Sequence, residues 1–149
     1  MFQGGAGNAR GWRGPVNSVL TGGGGNDSLI GDDGNDFIAG DAGDDAIETG
    51  SGSNVVAFNK GGGTDTVSSA ADASNTLSFG HGIGYKELSL SKSGNDLNVN
   101  AGGDDHVALK DWYAGKDDVN NLQRIRDATD ANDPKQYGPL YNQNGGRTD

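Results

Sequence analysis

An aliphatic side chain recurs every nine residues in the first half of the chain, among glycines and polar residues. Counted in nines from Gly22, position 8 of each unit is aliphatic: Leu29, Ile38, Ile47 and Val56. Successive side chains of a strand point to opposite faces, so a position that is aliphatic in every unit can face the core of a short strand while its two neighbours face away. The pattern predicts a strand at positions 7–9 of every unit, with these four side chains inside.

A different pattern begins after Val67. A polar connector, SSAADAS at 68–74, is followed by apolar residues spaced by two, as in half-buried strands. These pairs are Leu77 and Phe79, Leu88 and Leu90, Leu97 and Val99, and Val107 and Leu109. Turn sequences at 93–96 (SGND) and 102–105 (GGDD) lie between pairs, which predicts a meander of hairpins. We expect Trp112 and Tyr113 to lie in the core of this segment.

The remaining sequence is less regular. Residues 117–126, DDVNNLQRIR, are compatible with a short helix, since Val119, Leu122 and Ile125 have helical spacing, or with a final strand. We divide the chain into degenerate repeats at 1–21, a regular array at 22–67, a β-rich capping segment at 68–126 and a polar tail at 127–149.

The polar positions of the nine-residue unit are as regular as the apolar one. Position 4 is Gly25, Gly34, Gly43 and Gly52, and position 6 is Asp27, Asp36, Asp45 and Asn54. The fifth unit, residues 58–67, has one extra residue and ends with Asp65 and Val67. Two earlier units, from Gly4 and Arg13, keep the frame but have Ala9 and Ser18 at position 6.

This spacing has a chemical consequence. Glycine at positions 1, 2 and 4 permits positive φ and close backbone approach, as a tight turn needs. Bare carbonyl oxygens and a carboxylate are hard ligands of the kind that Ca²⁺ prefers. Residues 22–67 contain nine acidic residues against Lys60 alone, a net charge of −8 that opposes compaction until cations neutralise it.

Composition narrows the possible functions. The 149 residues include 28 glycines and carry a net charge of −10, which argues against nucleic acid or an anionic membrane as a direct partner. The absence of cysteine excludes disulfides and thiolate metal sites. There is no membrane span of about 20 apolar residues, and residues 1–20 lack the apolar stretch of a signal peptide. Composition alone also fits a disordered acidic linker, but the repeats argue against one.

The units GGGGNDSLI, GDDGNDFIA and GDAGDDAIE resemble the RTX family of hemolysin-type calcium-binding repeats, G-G-x-G-x-D-x-U-x. The segment after the array is similar to the one that follows the repeats in many RTX proteins. The resemblance implies an all-β fold: a right-handed parallel β-roll with two nonapeptides per coil, closed by a β-rich cap. Calcium would bind between turns stacked on the same edge.

The resemblance also implies a ligand set. Asp27 would pair with Asp45, and Asp36 with Asn54; Asp45 could also face Asp65. Backbone carbonyls would come from positions 2 and 4, at Gly23, Gly25, Asp32, Gly34, Asp41 and Gly43. Asp32 and Asp41 depart from the consensus glycine, and we expect their carboxylates to point to solvent. Ser18, opposite Asp36, would make a weak site at best. We expect two or three Ca²⁺ ions.

No catalytic constellation can be assembled from the serines and two isolated histidines, His81 and His106, so we do not expect an enzyme. The first hypothesis is a calcium-folded RTX module of a larger secreted bacterial protein, exported by a type I secretion apparatus. The alternative is a polysaccharide- or cell-surface-binding module. An exposed aromatic or basic stripe would favour it, but the regular repeats offer only Phe37, Phe58 and Lys60.

Overall fold

The computed structural model describes residues 1–70, 73–80, 83, 85–111 and the strand 122–127. In these residues there are thirteen β-strands and a short 3-10 helix at Tyr85–Glu87, with no α-helix. No helix in this described part is long and apolar enough to cross a membrane.

The strands form two sheets. Sheet A is parallel throughout, in the order β1 (Phe2–Gly5), β3 (Val19–Gly24), β5 (Phe37–Ala42), β7 (Ser53–Phe58), β9 (Ser74–Phe79) and β13 (Leu122–Asp127). Sheet B has the order β10 (Ser89–Ser93), β11 (Asp96–Asn100), β12 (His106–Leu109), β8 (Thr64–Ser68), β6 (Ala46–Glu48), β4 (Ser28–Ile30) and β2 (Arg10–Trp12). From β12 to β2 its neighbours are parallel.

Consecutive nonapeptides alternate between the two sheets. Leu20 therefore pairs with Ile38 in sheet A, while Leu29 pairs with Ile47 in sheet B. Two nonapeptides make one coil, and the chain forms the predicted parallel β-roll. Turns 4–9, 22–27, 40–45 and 58–65 stack along one side, here called edge 1. Turns 13–18, 31–36 and 49–54 stack along the other, edge 2.

The space between the sheets is filled by the position-8 side chains. Leu29 and Ile38 are fully buried, and Ile47 and Val56 are within 2% of full burial, so the predicted register is confirmed. The core continues in both directions through Leu20, Val67 and Leu77. Phe58 and Phe79 pack edge-to-face, with ring centroids 5.9 Å apart.

The fifth unit is longer than the sequence analysis predicted. Ile47 pairs with Val67, so this coil has two residues more than the usual eighteen, and the prediction of one extra residue was wrong. The added length forms a turn in which the Gly62 N–H donates to the carbonyl of Asn59 at 3.0 Å. The length of the insertion could not be read from the repeat frame alone, because strand register is set by the side chain that must face the core.

The β-rich segment joins the roll. The predicted hairpins are confirmed for β10–β11 and β11–β12, which pair antiparallel. Strand β9 is not part of that meander, because it pairs parallel to β7, and β12 pairs parallel to β8. Of the two alternatives for 117–126, the strand is observed from Leu122 onward. Trp112, Tyr113 and His81 lie outside the described residues.

Candidate metal sites between stacked turns

Three aspartates at position 6 are buried at the roll edges. Asp27, Asp36 and Asp45 are each 2–3% exposed. In each carboxylate, Oδ1 accepts a hydrogen bond from the backbone N–H of the position-6 residue one coil earlier. These hydrogen bonds are Ala9 N to Asp27 at 2.7 Å, Ser18 N to Asp36 at 2.8 Å and Asp27 N to Asp45 at 2.8 Å. Half of each carboxylate therefore holds adjacent coils together.

The other oxygen of each carboxylate has no partner. Among the described residues, the buried side-chain oxygens without a hydrogen bond are the Oδ2 atoms of Asp27, Asp36 and Asp45. A buried, unpaired carboxylate oxygen costs several kcal/mol, so such atoms are normally satisfied by a donor or a cation. Their regular spacing indicates a recurring ligand and not a local packing defect.

These oxygens point at position 1 of their own turn. A β-carbon at Gly31 would lie 2.6 Å from Asp36 Oδ2 and 2.6 Å from the carbonyl oxygen of Thr49, one coil later. At Gly22 it would overlap Asp27 Oδ2 and lie 2.6 Å from the carbonyl oxygen of Gly40. Carboxylate and carbonyl oxygens thus approach the same space between stacked turns.

Positions 2 and 4 supply the left-handed backbone of the turn. Among the predicted ligands, φ is 70° at Asp32, 72° at Asp41, 97° at Gly23, 105° at Gly25, 127° at Gly34 and 133° at Gly43. The carbonyl oxygens of Gly25, Gly34 and Gly43 abut the glycines one coil later, and so lie between stacked turns. The Asp32 carbonyl lies there as well and accepts the Ser51 N–H at 3.1 Å. Gly23 faces Asp41 in the β3–β5 pairing.

The side chains of the two non-glycine residues at position 2 differ. Asp41 is exposed as a residue, but its carboxylate accepts the Gly23 N–H, and burial raises its pKa. Asp32 is half-buried, and its Oδ2 accepts the indole N–H of Trp12 at 3.1 Å, so its carboxylate does not simply point to solvent.

The Asp45–Asp65 pairing forms despite the longer coil. Asp65 is 2% exposed, and its Oδ1 accepts the Asp45 N–H at 3.1 Å. Burial raises the pKa of Asp65 to about 8; the N–H of Asp45 opposes this increase, and the negative charges of Asp45 and Asp44 add to it. Such a carboxyl is poorly suited to carry charge unless a cation lies beside it.

Burial also raises the pKa of two of the aspartates with an unpaired oxygen. For Asp36, the hydrogen bond from Ser18 opposes the increase and the charge of Asp32 adds to it. For Asp45, the N–H of Asp27 opposes the increase, and the charges of Asp27 and Asp41 favour it. Both edges are therefore short of positive charge where the carboxylates lie.

Two predicted participants have other partners. Asn54 Oδ1 accepts the Asp36 N–H at 2.9 Å, and its Nδ2 donates to the carbonyls of Thr49 and Ser51 at 3.3 Å. The Ser18 hydroxyl donates to the Val16 carbonyl at 2.9 Å. Neither side chain leaves an oxygen free in the manner of the three aspartates.

Sequence reasoning missed three features of the edges. The side chains at position 5 form a second ladder, in which each Oδ1 accepts the backbone N–H of the residue at position 5 one coil later. The acceptor and donor pairs are Asn8 and Asn26, Asn26 and Asp44, Asp44 and Thr64, Asn17 and Asn35, and Asn35 and Ser53. The recurrence of Asn at position 5 could have predicted this ladder from the sequence. The carbonyls of Gly40 and Thr49 were also missed, as was Asp105, which accepts the N–H groups of Gly61 and Gly63.

The arrangement fits a hard cation. Within the described part of the chain, no three His, Cys, Asp or Glu side chains converge as a metal site, so an ion held there would take some ligands from the backbone. The available atoms are carboxylate and carbonyl oxygens, which suit Ca²⁺ and Mg²⁺ and not softer metals. A divalent ion beside Oδ2 would satisfy the unpaired oxygen and offset the buried charge.

A match to a family model supports this interpretation. Residues 21–56 match the family model of the RTX calcium-binding nonapeptide repeat, in four copies. This segment is an array of RTX repeats, as its resemblance to the family implied. Among solved structures, the chain is similar to the solution structure of the AlgE6R3 subunit of the mannuronan C5-epimerase from Azotobacter vinelandii. The identity is 23% and the TM-score 0.46, over 91% of this chain and 87% of that one. No curated protein matches the sequence.

Proposed function

We propose that the chain is a calcium-triggered folding module that holds three Ca²⁺ ions between stacked turns. The observation that carries the proposal is the series of unpaired Oδ2 atoms on Asp27, Asp36 and Asp45. Two ions would bind along edge 1, one between turns 22–27 and 40–45 and one between turns 40–45 and 58–65. The third would bind on edge 2, between turns 31–36 and 49–54.

The proposed ligands are carboxylate and backbone oxygens. Each ion would contact one unpaired Oδ2, and Asp65 would add a carboxylate to the second site on edge 1. Carbonyls would come from positions 1, 2 and 4, at Gly40 and Thr49 and at Gly23, Gly25, Asp32, Gly34, Asp41 and Gly43. We leave the Asn54 side chain out of the ligand set, because both of its polar atoms bond within the protein.

Metal binding would be coupled to folding. The net charge of −8 over residues 22–67 and the unpaired buried carboxylates both oppose a metal-free roll. Binding free energy then contributes directly to folding free energy. Extracellular calcium modules typically bind at ~10⁻⁴–10⁻³ M, so the repeats would stay unfolded where free calcium is scarce and fold where it is plentiful.

This coupling suits a secreted protein. An unfolded chain can pass through a narrow channel such as that of a type I secretion apparatus, and folding outside the cell would oppose its return. We therefore propose a secreted or cell-surface location, as part of a larger bacterial protein. In that setting residues 68–126 would cap the roll, since an exposed sheet edge invites aggregation. A catalytic role is not part of the proposal.

The alternative surface-binding function gains little support from the exposed aromatic residues. Phe58 is buried in the core. Phe37 and Trp12 are 41% and 60% exposed, but they lie in sheets A and B respectively, so these two do not form a single stripe. Polysaccharide or cell-surface binding remains the second hypothesis.

The proposal is tested by titrating the metal-free chain with Ca²⁺ and with Mg²⁺ under circular dichroism. We expect strand signal to appear with Ca²⁺, whereas Mg²⁺ should be a poor substitute, because it demands near-octahedral geometry and retains its waters. Hydrogen exchange should locate the gain in protection chiefly within residues 22–67, at the turns that hold the proposed ions. Equal protection of those residues with and without calcium would refute the folding switch.

A further inference from the structure

The fourth repeat, residues 49–57, departs from the three before it at two positions together. Position 1 is Thr49 where the others have glycine, and position 6 is Asn54 where they have aspartate. Position 1 and the position-6 side chain are in contact within each turn, so the two departures concern the same small space.

In the three preceding turns, the position-6 carboxylate occupies the space beside position 1. A β-carbon at Gly22 or Gly40 would overlap Oδ2 of the aspartate in the same turn, and at Gly31 it would approach Oδ2 to 2.6 Å. A threonine could not fit there while the aspartate keeps its position. In the fourth turn, by contrast, Thr49 is fully buried and Asn54 is 1% exposed.

The orientation of the Asn54 amide follows from its neighbours. The Asp36 N–H donates to it at 2.9 Å, so the atom facing Asp36 must be the oxygen. The Nδ2 group therefore points the other way. It donates to the carbonyls of Thr49 and Ser51 at 3.3 Å and to Asn75 Oδ1 at 3.0 Å.

Asn75 extends the same network to the next coil. It is 1% exposed and lies beside Asn54 in the β7–β9 register. Its Nδ2 donates to the Thr49 hydroxyl at 3.0 Å and to the Ser69 hydroxyl at 2.8 Å. The carbonyl and side-chain oxygens around this turn thus receive donors from the protein, unlike the unpaired Oδ2 atoms of the aspartates.

We infer that Thr49, Asn54 and Asn75 form a metal-free closure, in which an amide N–H₂ group replaces the calcium ion that the equivalent space would otherwise hold. The closure ends the calcium series on edge 2 after the site of Asp36, and it holds strands β7 and β9 together without metal. This inference rests on the proposed function, since it assigns which turns bind calcium and which do not.

The test is the variant Asn54→Asp, which places an unpaired negative charge among the carbonyls that Nδ2 now satisfies. Amide exchange is measured in EDTA. We expect wild-type β7 and β9 to retain protection, and Asn54→Asp to exchange at least about tenfold faster there, as local opening becomes easier. The matched control is Asn35→Asp on the same edge, because Asn35 is exposed and offers only Oδ1, which a carboxylate preserves.

A milder variant covers the case in which Asn54→Asp does not fold at all. Thr49→Val keeps the branched shape but removes the hydroxyl acceptor of Asn75, and it should speed exchange of β9 amides about threefold in EDTA, while Ser69 still accepts from Asn75. Unchanged exchange in both variants would overturn the inference.

The outcomes separate the inference from the proposed function. If wild-type β7 exchanges in EDTA as fast as β4 and β6, the closure does not hold the coil and the inference is wrong, while calcium-dependent folding stands. If every repeat is protected in EDTA but Asn54→Asp still loosens β7, the folding switch fails and the closure stands.

Discussion

The backbone N–H of Asp27 donates to Oδ1 of Asp45 at 2.8 Å, across eighteen residues of sequence. Oδ1 of Asp45 therefore bonds to the neighbouring coil, and Oδ2 is the unpaired oxygen that we assign to calcium. Asp45 also donates its own N–H to Asp65 at 3.1 Å. This residue links three consecutive turns of edge 1, so its substitution is the most informative test of the ligand set.

Asp45→Asn keeps the shape and Oδ1 but removes the charge. We expect calcium affinity to fall about 10- to 100-fold, since a charged partner is worth about 1.5–3 kcal/mol. Titration calorimetry measures the change. Asp44→Asn is the control, because Asp44 is exposed and belongs to the position-5 ladder, where Asn26 performs the same bond. An equal loss in both variants would contradict the assignment of Oδ2.

Gly31→Ala tests the space at position 1. The added methyl would lie 2.6 Å from both Asp36 Oδ2 and the Thr49 carbonyl, so it should displace these ligands and remove the edge-2 ion. Backbone strain is not involved, because Gly31 is not among the positive-φ glycines. Gly24→Ala is the control, since its nearest neighbour would be 3.8 Å away. The number of bound ions, counted by calorimetry, should fall by one only for Gly31→Ala.

The repeat made much of the fold predictable. Position 8 indicated the inward residues, because a strand alternates its faces and this position is aliphatic in every regular unit, as at Leu29 and Ile38. The pairing of Asp36 with position 54 followed from the two nonapeptides per coil that the family resemblance implied. The repeat positions themselves are strictly periodic, so the sequence displays them directly.

Other features depended on contacts that periodicity does not encode. The family resemblance implied that Asn54 would ligate calcium, but nothing in the repeat indicated its hydrogen bond to Asn75, which lies outside the nonapeptide frame. Similarly, the spacing of Leu77 and Phe79 indicated a strand but could not say that β9 would pair parallel with β7. Such outcomes are decided by neighbours distant in sequence.

Asp65 predicts a pH dependence of the metal-free roll. Its pKa is about 8 in the fold, against an ordinary value of 3.8, so the folded state binds the proton more tightly than the unfolded one. The stability that this proton confers is fully present below about pH 4 and is lost as pH rises toward 8. We expect the metal-free chain to show more strand signal in circular dichroism at pH 5 than at pH 8.

Calcium should reverse this trend, because a bound cation favours the ionised carboxylate. Binding at pH 7 should then release protons, which calorimetry detects as a dependence of the binding heat on the ionisation enthalpy of the buffer. Asp65→Asn should reduce both effects. Proton release that is undiminished in Asp65→Asn would assign the pH dependence to other carboxylates.

Asp105 connects the β-rich segment to the last turn of edge 1. Its two carboxylate oxygens accept the N–H groups of Gly61 at 2.8 Å and Gly63 at 3.1 Å, although the sequence suggested only a hairpin turn there. Asp105→Asn turns an N–H₂ group toward one of these donors. It should therefore lose one bond, at a cost of about 1 kcal/mol, and speed exchange of those two amides about fivefold. Asp104→Asn is the matched control, because Asp104 is adjacent in sequence and its side chain is exposed. If exchange at Gly61 and Gly63 were the same in both variants, the carboxylate would not be what fastens the segment to the roll.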